Sequence, residues 1–197
     1  LVYIDEKAKL GIANKIYIIE AELDNGVQIT ALEYYLKDAK ARIGHYRYIG
    51  NGQQDEATLR KIRVQAAELM LDKVFKGKIP TDKVTLQKIY TDRLASGIGY
   101  NFAMDMKNEN TLFCSQVVAY AYGLSCKSLG VCAIPTYQPQ DRTYPFPLVY
   151  SQLDSTTNPL IRMLGIKGGD VFAPADVEID PQLELIAEWR DYGVIEG

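Results

Sequence analysis

The chain has 197 residues, a length that suits one domain or one domain with an insertion. Its 47% apolar and 24% charged residues are ordinary for a globular protein and exclude wholesale disorder and fibrous repeats. Twenty-two Lys and Arg against 25 Asp and Glu leave a net charge of −3 without a basic stripe, which excludes a phosphate-tracking nucleic-acid binder, and no apolar run reaches the roughly 18 residues that a membrane span needs.

In chain order, Val2–Asp5 and Ile16–Ala21 read as β-branched and aromatic strands joined by a loop at Glu6–Lys15. The chain opens on Leu1 inside the first of these, with no charged or apolar leader before it. We expect it to be processed, cut from a longer polypeptide or partly represented, so no compartment is assigned; a secreted or periplasmic protein or part of a larger particle all fit. Asn25-Gly26 marks a turn. Thr30-Ala-Leu-Glu33 has the capping-box pattern and predicts a helix from Thr30 to about Lys40. His45–Ile49 reads as a strand. Asp55 opens an amphipathic helix running to about Phe75, with Leu59, Ile62, Ala66, Leu69 and Met70 at helical spacing. A second helical stretch covers about Lys83 to Leu94. Cys114–Tyr122 predicts a short helix closed by Gly123. Cys126 to Asn158 reads mostly as loop, and Ile166–Pro174 holds a short strand. Asp180-Pro181 predicts a last helix through Trp189. The fold class is α+β, a small, mostly antiparallel sheet packed with helices.

Cys114 is the most informative residue. It stands where an extended stretch turns into a helix, and a helix N-terminus lowers the pKa of a cysteine and makes it a better nucleophile near neutral pH. Amides of the same turn can hold an oxyanion. The plain alternative is a small core cysteine. Cys126 and Cys132 form a C-x5-C pair, which is no usual metal spacing; both read as structural, with a disulfide between them open outside the cytosol. One His leaves little room for a histidine-built metal centre, and no metal or organic cofactor is implied. That residue, His45, starts a Tyr-Arg-Tyr strand and reads as structural. Glu20 ends an apolar strand, either in water at the sheet edge or aimed at a partner.

Several segments share their order with a known family. Phe113-Cys-Ser-Gln-Val-Val118 is followed by Ala121-Tyr122, and Gly97-Ile-Gly-Tyr-Asn-Phe102 lies shortly upstream. Tyr17-Ile-Ile-Glu-Ala21 leads into Gly26-Val27, Tyr46-Arg47 follows, and Pro174-Ala-Asp176 comes near the end. Across nearly its whole length the chain resembles the permuted papain-like amidases of the YiiX/YaeF type, a circularly permuted branch of the NlpC-like cysteine hydrolases. The resemblance implies one permuted papain-like domain over residues 1–197, with an added helical stretch at about 72–96. It implies Cys114 as nucleophile, Glu20 as the polar residue that orients the catalytic His, and Tyr100 and Ser115 lining the substrate and oxyanion side. The family's His begins the strand before the Glu-Ala strand; here the matching position falls at or just before Leu1. His45 matches the family's Tyr-Arg strand instead, and is not expected to be the base. The chain departs from the family at Gln116, where Glu follows Cys-Ser, and at Asn101, where Asp follows Tyr.

The first functional reading is a cysteine hydrolase acting on an amide, either a peptidoglycan peptide or an N-acyl or peptide substrate. The second is a catalytically inactive module of the same fold that binds within a larger assembly, through the Tyr- and Pro-rich loop at 137–150.

Overall fold

The computed structural model describes residues 1–38, 42–105, 108–131, 151–153, 169–171, 178 and 180–190. It is a mixed α+β structure of small antiparallel sheets and four helices. Strands β1 (Val2–Asp5), β2 (Lys15–Glu22) and β3 (Gly26–Ala31) form an antiparallel meander, extended on the β3 side by β5 (Leu94–Ala95). Side chains alternate along β2: Tyr17, Ile19 and Ala21 are buried, while Ile18 and Glu20 lie on the half-covered face. Gly26 closes the β2–β3 connection with φ +65°, where an added Cβ would sit 2.1 Å from the Ile98 carbonyl oxygen, so only glycine fits.

Helix α1 (Leu32–Asp38) follows β3, and β4 (Arg42–Tyr48) comes next. Helix α2 (Glu56–Val74) starts at Asp55, whose carboxylate accepts the Thr58 amide at 2.7 Å, a cap worth about 1 kcal/mol. Leu59, Ile62, Ala66, Met70 and Leu71 form its buried stripe, and α4 (Cys114–Leu129) packs along it. Ser125 of α4 donates to the Ile62 carbonyl at 2.9 Å, and α4 also packs on β2. Helices α4 and α2 and the meander thus share one core. Helix α3 (Lys83–Thr91) lies against β3, burying Ile89. No helix among the described residues is long and apolar enough to cross a membrane.

Four expectations are corrected. Thr30 begins no helix: it lies in β3, and its hydroxyl donates to the Asp92 carbonyl at 2.6 Å, tying the strand to the end of α3. The α3 helix ends at Thr91 instead of running to Leu94, because Leu94 pairs with Ile29. Helix α4 passes through the buried Gly123 and ends at Gly130, whose φ of +65° is the left-handed stop; packing on α2 outweighs the weak helix propensity of an interior glycine. Residues 183–189 form no helix. They lie in β8 (Leu183–Arg190), antiparallel to β4 with Tyr48 opposite Leu183, since strand pairing with β4 satisfies both backbones. Strands β6 (Ser151–Leu153) and β7 (Gly169–Val171) make a separate two-stranded pair. Cys132, the 137–150 loop and Pro174–Asp176 lie outside the described residues.

Candidate active site

The site is built where the N-terminus of α4 meets the β1 edge of the meander. Cys114 is the first residue of α4, and it is exposed and a free thiol. The next residues turn inward: Ser115, Gln116 and Val117 are buried. The helix start is therefore clamped while the sulfur stays at the surface. Ser115 has its side chain inside the protein, so what it can offer a substrate is its backbone amide in the first turn.

A buried polar net holds this helix start. Gln116 Oε1 accepts the Phe113 amide at 3.2 Å and the Asn101 Nδ2 at 3.0 Å, while Gln116 Nε2 donates to the Asn108 carbonyl at 2.8 Å and the Asp105 carbonyl at 3.3 Å. Asn101 Nδ2 also donates to Asp105 O at 2.8 Å. The two departures from the family pattern, Asn101 and Gln116, are thus hydrogen-bonded to each other. Two acids in these places would set carboxylates against one another and against backbone carbonyls; two amides satisfy every contact without charge.

Tyr100 stands beside Cys114. Its backbone bridges to Leu112, and its phenol lies within electrostatic reach of the Cys114 sulfur. Burial is the first cause that raises its phenol pKa, with the Cys114 sulfur adding to it. Phe102 lies edge-on against the Tyr100 ring, with centroids 5.1 Å apart, and is exposed.

Glu20 lies on the neighbouring strand, half-buried. Burial pushes its carboxyl above the ordinary range; the Gln28 amide and Arg93 oppose that shift, and Glu22 adds to it. Gln28 Nε2 donates to Glu20 Oε1 at 3.0 Å, and Arg93 Nε lies 3.7 Å from the same oxygen. Glu20 Oε2 makes no hydrogen bond among the described residues. Gln28 and Arg93 were not singled out by sequence reasoning. The signal available was the hairpin: a turn at Asn25-Gly26 puts Gln28 opposite Glu20 once β3 is read as a strand.

The start of β1 completes the picture. The Leu1 nitrogen donates to the Ile19 carbonyl at 2.8 Å and feels the charges of both Glu20 and Cys114. Three of the expected site residues, Cys114, Tyr100 and Glu20, thus gather around one place. His45 is exposed on β4, beside a bulge between His45 and Tyr46, and its side chain makes no hydrogen bond among the described residues. Cys126 is disulfide-bonded. Among the described residues no group of three or more His, Cys, Asp and Glu could hold a metal ion. Comparison with protein-family models, with curated proteins and with solved structures found no match for this chain.

Proposed function

We propose that this chain is a permuted papain-like cysteine hydrolase domain that cleaves an amide bond. The observation that carries the reading is the β1–β2 register. Val2 faces Ile18 and Tyr3 faces Tyr17, so the position one before Leu1, continued along the ladder, falls opposite Glu20. Residues directly opposite in an antiparallel pair project to the same face, with Cβ atoms about 5 Å apart. An imidazole there would meet the Glu20 carboxylate, and Cys114 lies within electrostatic reach of the same strand start.

In this scheme the imidazole takes the Cys114 proton and the thiolate attacks the amide carbonyl. A C–S bond forms, and first-turn amides of α4 receive the oxyanion. As the C–N bond breaks, the imidazolium returns its proton to the leaving amine. Water, deprotonated by the same imidazole, then hydrolyses the thioester and regenerates the thiol. Glu20 holds the imidazole tautomer through Oε2. Peptidoglycan stem peptides and N-acyl amides are the substrate classes proposed.

The test uses the protein as its gene encodes it, assayed on a stem peptide and on an N-acyl amide. Cys114→Ser is expected to abolish hydrolysis, Glu20→Gln to lower kcat by about 10²-fold or more, and His45→Ala to leave it within a few-fold. Hydrolysis that survives Cys114→Ser, or a His45→Ala loss on the order of 10³-fold, would show the site wrongly assigned. A folded full protein without turnover on either substrate favours the non-catalytic binding module.

A further inference from the structure

We propose that Gln28 is a positioning residue for Glu20: its side-chain amide, aided by Arg93, engages Oε1 and leaves Oε2 as the carboxylate oxygen without a protein partner, open to an imidazole N–H. The inference rests on the hydrolase reading above and names a residue that the family pattern quoted for the chain does not contain.

Three observations carry it. Gln28 sits directly opposite Glu20 in the β2–β3 ladder, on the side away from β1, so Glu20 is held from the β3 flank. Both polar neighbours converge on a single oxygen, Oε1, at 3.0 Å for Gln28 Nε2 and 3.7 Å for Arg93 Nε. Gln28 is fully buried at 0% exposure, yet its Oε1 has no hydrogen-bond partner.

The last point argues against a packing role. An orphaned buried carbonyl is destabilising, and an apolar side chain of similar size would avoid it. On the same strand Thr30, also buried, satisfies its hydroxyl on Asp92. The Gln28 amide can turn only one end to a carboxylate, and the amino end is the one that binds. Its oxygen is left unpaired as the consequence of holding Glu20.

The experiment follows the Glu20 carboxyl directly, by carbon NMR titration of the full protein labelled at the glutamate δ-carbons, with Glu20→Gln to assign the signal. Gln28→Met keeps the volume and removes the donor. It should leave the protein folded and move the Glu20 midpoint upward, since a donor that favours the charged form is gone. In the hydrolysis assay kcat should fall roughly tenfold with KM unchanged. If Gln28→Met does not fold, Gln28→Glu preserves the shape, replaces the donor by an acceptor and should move the midpoint the same way. A lowered melting temperature with an unmoved Glu20 midpoint would overturn the proposal and make Gln28 a structural residue. An upward shift in a parent protein that never turns over supports the positioning and tells against the hydrolase reading alone.

Discussion

Cys114 differs from Cys126 in each respect that governs thiol chemistry. It is exposed, free and at a helix start, whereas Cys126 is buried and oxidised. Limited iodoacetamide treatment of the folded, unreduced protein is therefore expected to label Cys114 first, and peptide mapping reads the result; early label on Cys126 would contradict it. The Tyr100 phenol, within electrostatic reach of the sulfur, gives a second handle. A donor to sulfur stabilises the thiolate, so Tyr100→Phe should slow alkylation of Cys114 near pH 7 by about two- to fivefold, a modest factor suited to one hydrogen bond. An unchanged rate would mean that the hydroxyl does not act on the thiol.

Helix α4 owes the placement of its first residue to the polar net under it more than to its own propensity. Its N-cap is Phe113, which offers no side-chain acceptor, so Gln116 reaches back to the Phe113 amide and holds Asn101, Asp105 and Asn108 as well. Gln116→Glu restores the residue of the family pattern but sets a carboxylate against the Asp105 and Asn108 carbonyls. Gln116 is fully buried, so the variant should lose about 2–4 kcal/mol in denaturant unfolding near pH 7. The loss should shrink as the pH falls and the carboxyl is protonated, because a protonated acid can donate one of the missing bonds. A variant as stable as the parent at pH 7 would show that the net does not hold the helix start.

The β4–β8 pair meets helix α4 around Tyr48, with Asp180 close by. The Tyr48 ring packs against Tyr122 of α4 with centroids 5.1 Å apart, and the Ile49 amide donates to the Gln182 carbonyl at 2.8 Å. Asp180, 2% exposed, accepts the Gln182 amide through Oδ1 at 2.8 Å, while Oδ2 has no partner. Burial pushes its carboxyl up to about 6. In the unfolded chain an Asp titrates near about 4. Between those values the folded protein keeps a proton that the unfolded chain releases. The stability from this group is full below about pH 4 and is lost as the pH rises through about 6. Asp180→Asn removes that dependence. Its melting temperature should exceed the parent's at pH 7.5, with the gap closing toward pH 4. Calorimetry across that range checks the sign, and a parent more stable than the variant at pH 7.5 would refute it.

The elements that local chemistry specifies were legible without coordinates. Asp55 and the apolar stripe of α2 define their helix, because capping and 3.6-residue periodicity act within a few residues. Cys114 at a helix start was readable for the same reason, and Glu20 stood out as a carboxylate ending an apolar strand. Thr30 and β8 were misread. The helix read at Thr30-Ala-Leu-Glu33 does form, but β3 keeps Thr30 and Ala31 by pairing with β2 so that it starts at Leu32, and Leu183–Arg190 is helix-tolerant until β4 supplies a ladder. The same cause kept Gln28 and Arg93 out of the site: Gln28 reaches Glu20 across the β2–β3 register and Arg93 from the link between α3 and β5, neither of which a local pattern encodes. Which residues form a helix or carry reactive groups depends on neighbours in the chain. Which of them face one another depends on strand pairing and on α4 packing against β2 and α2, and these non-local contacts bring Tyr100 to Cys114 and the start of β1 within reach of both Cys114 and Glu20.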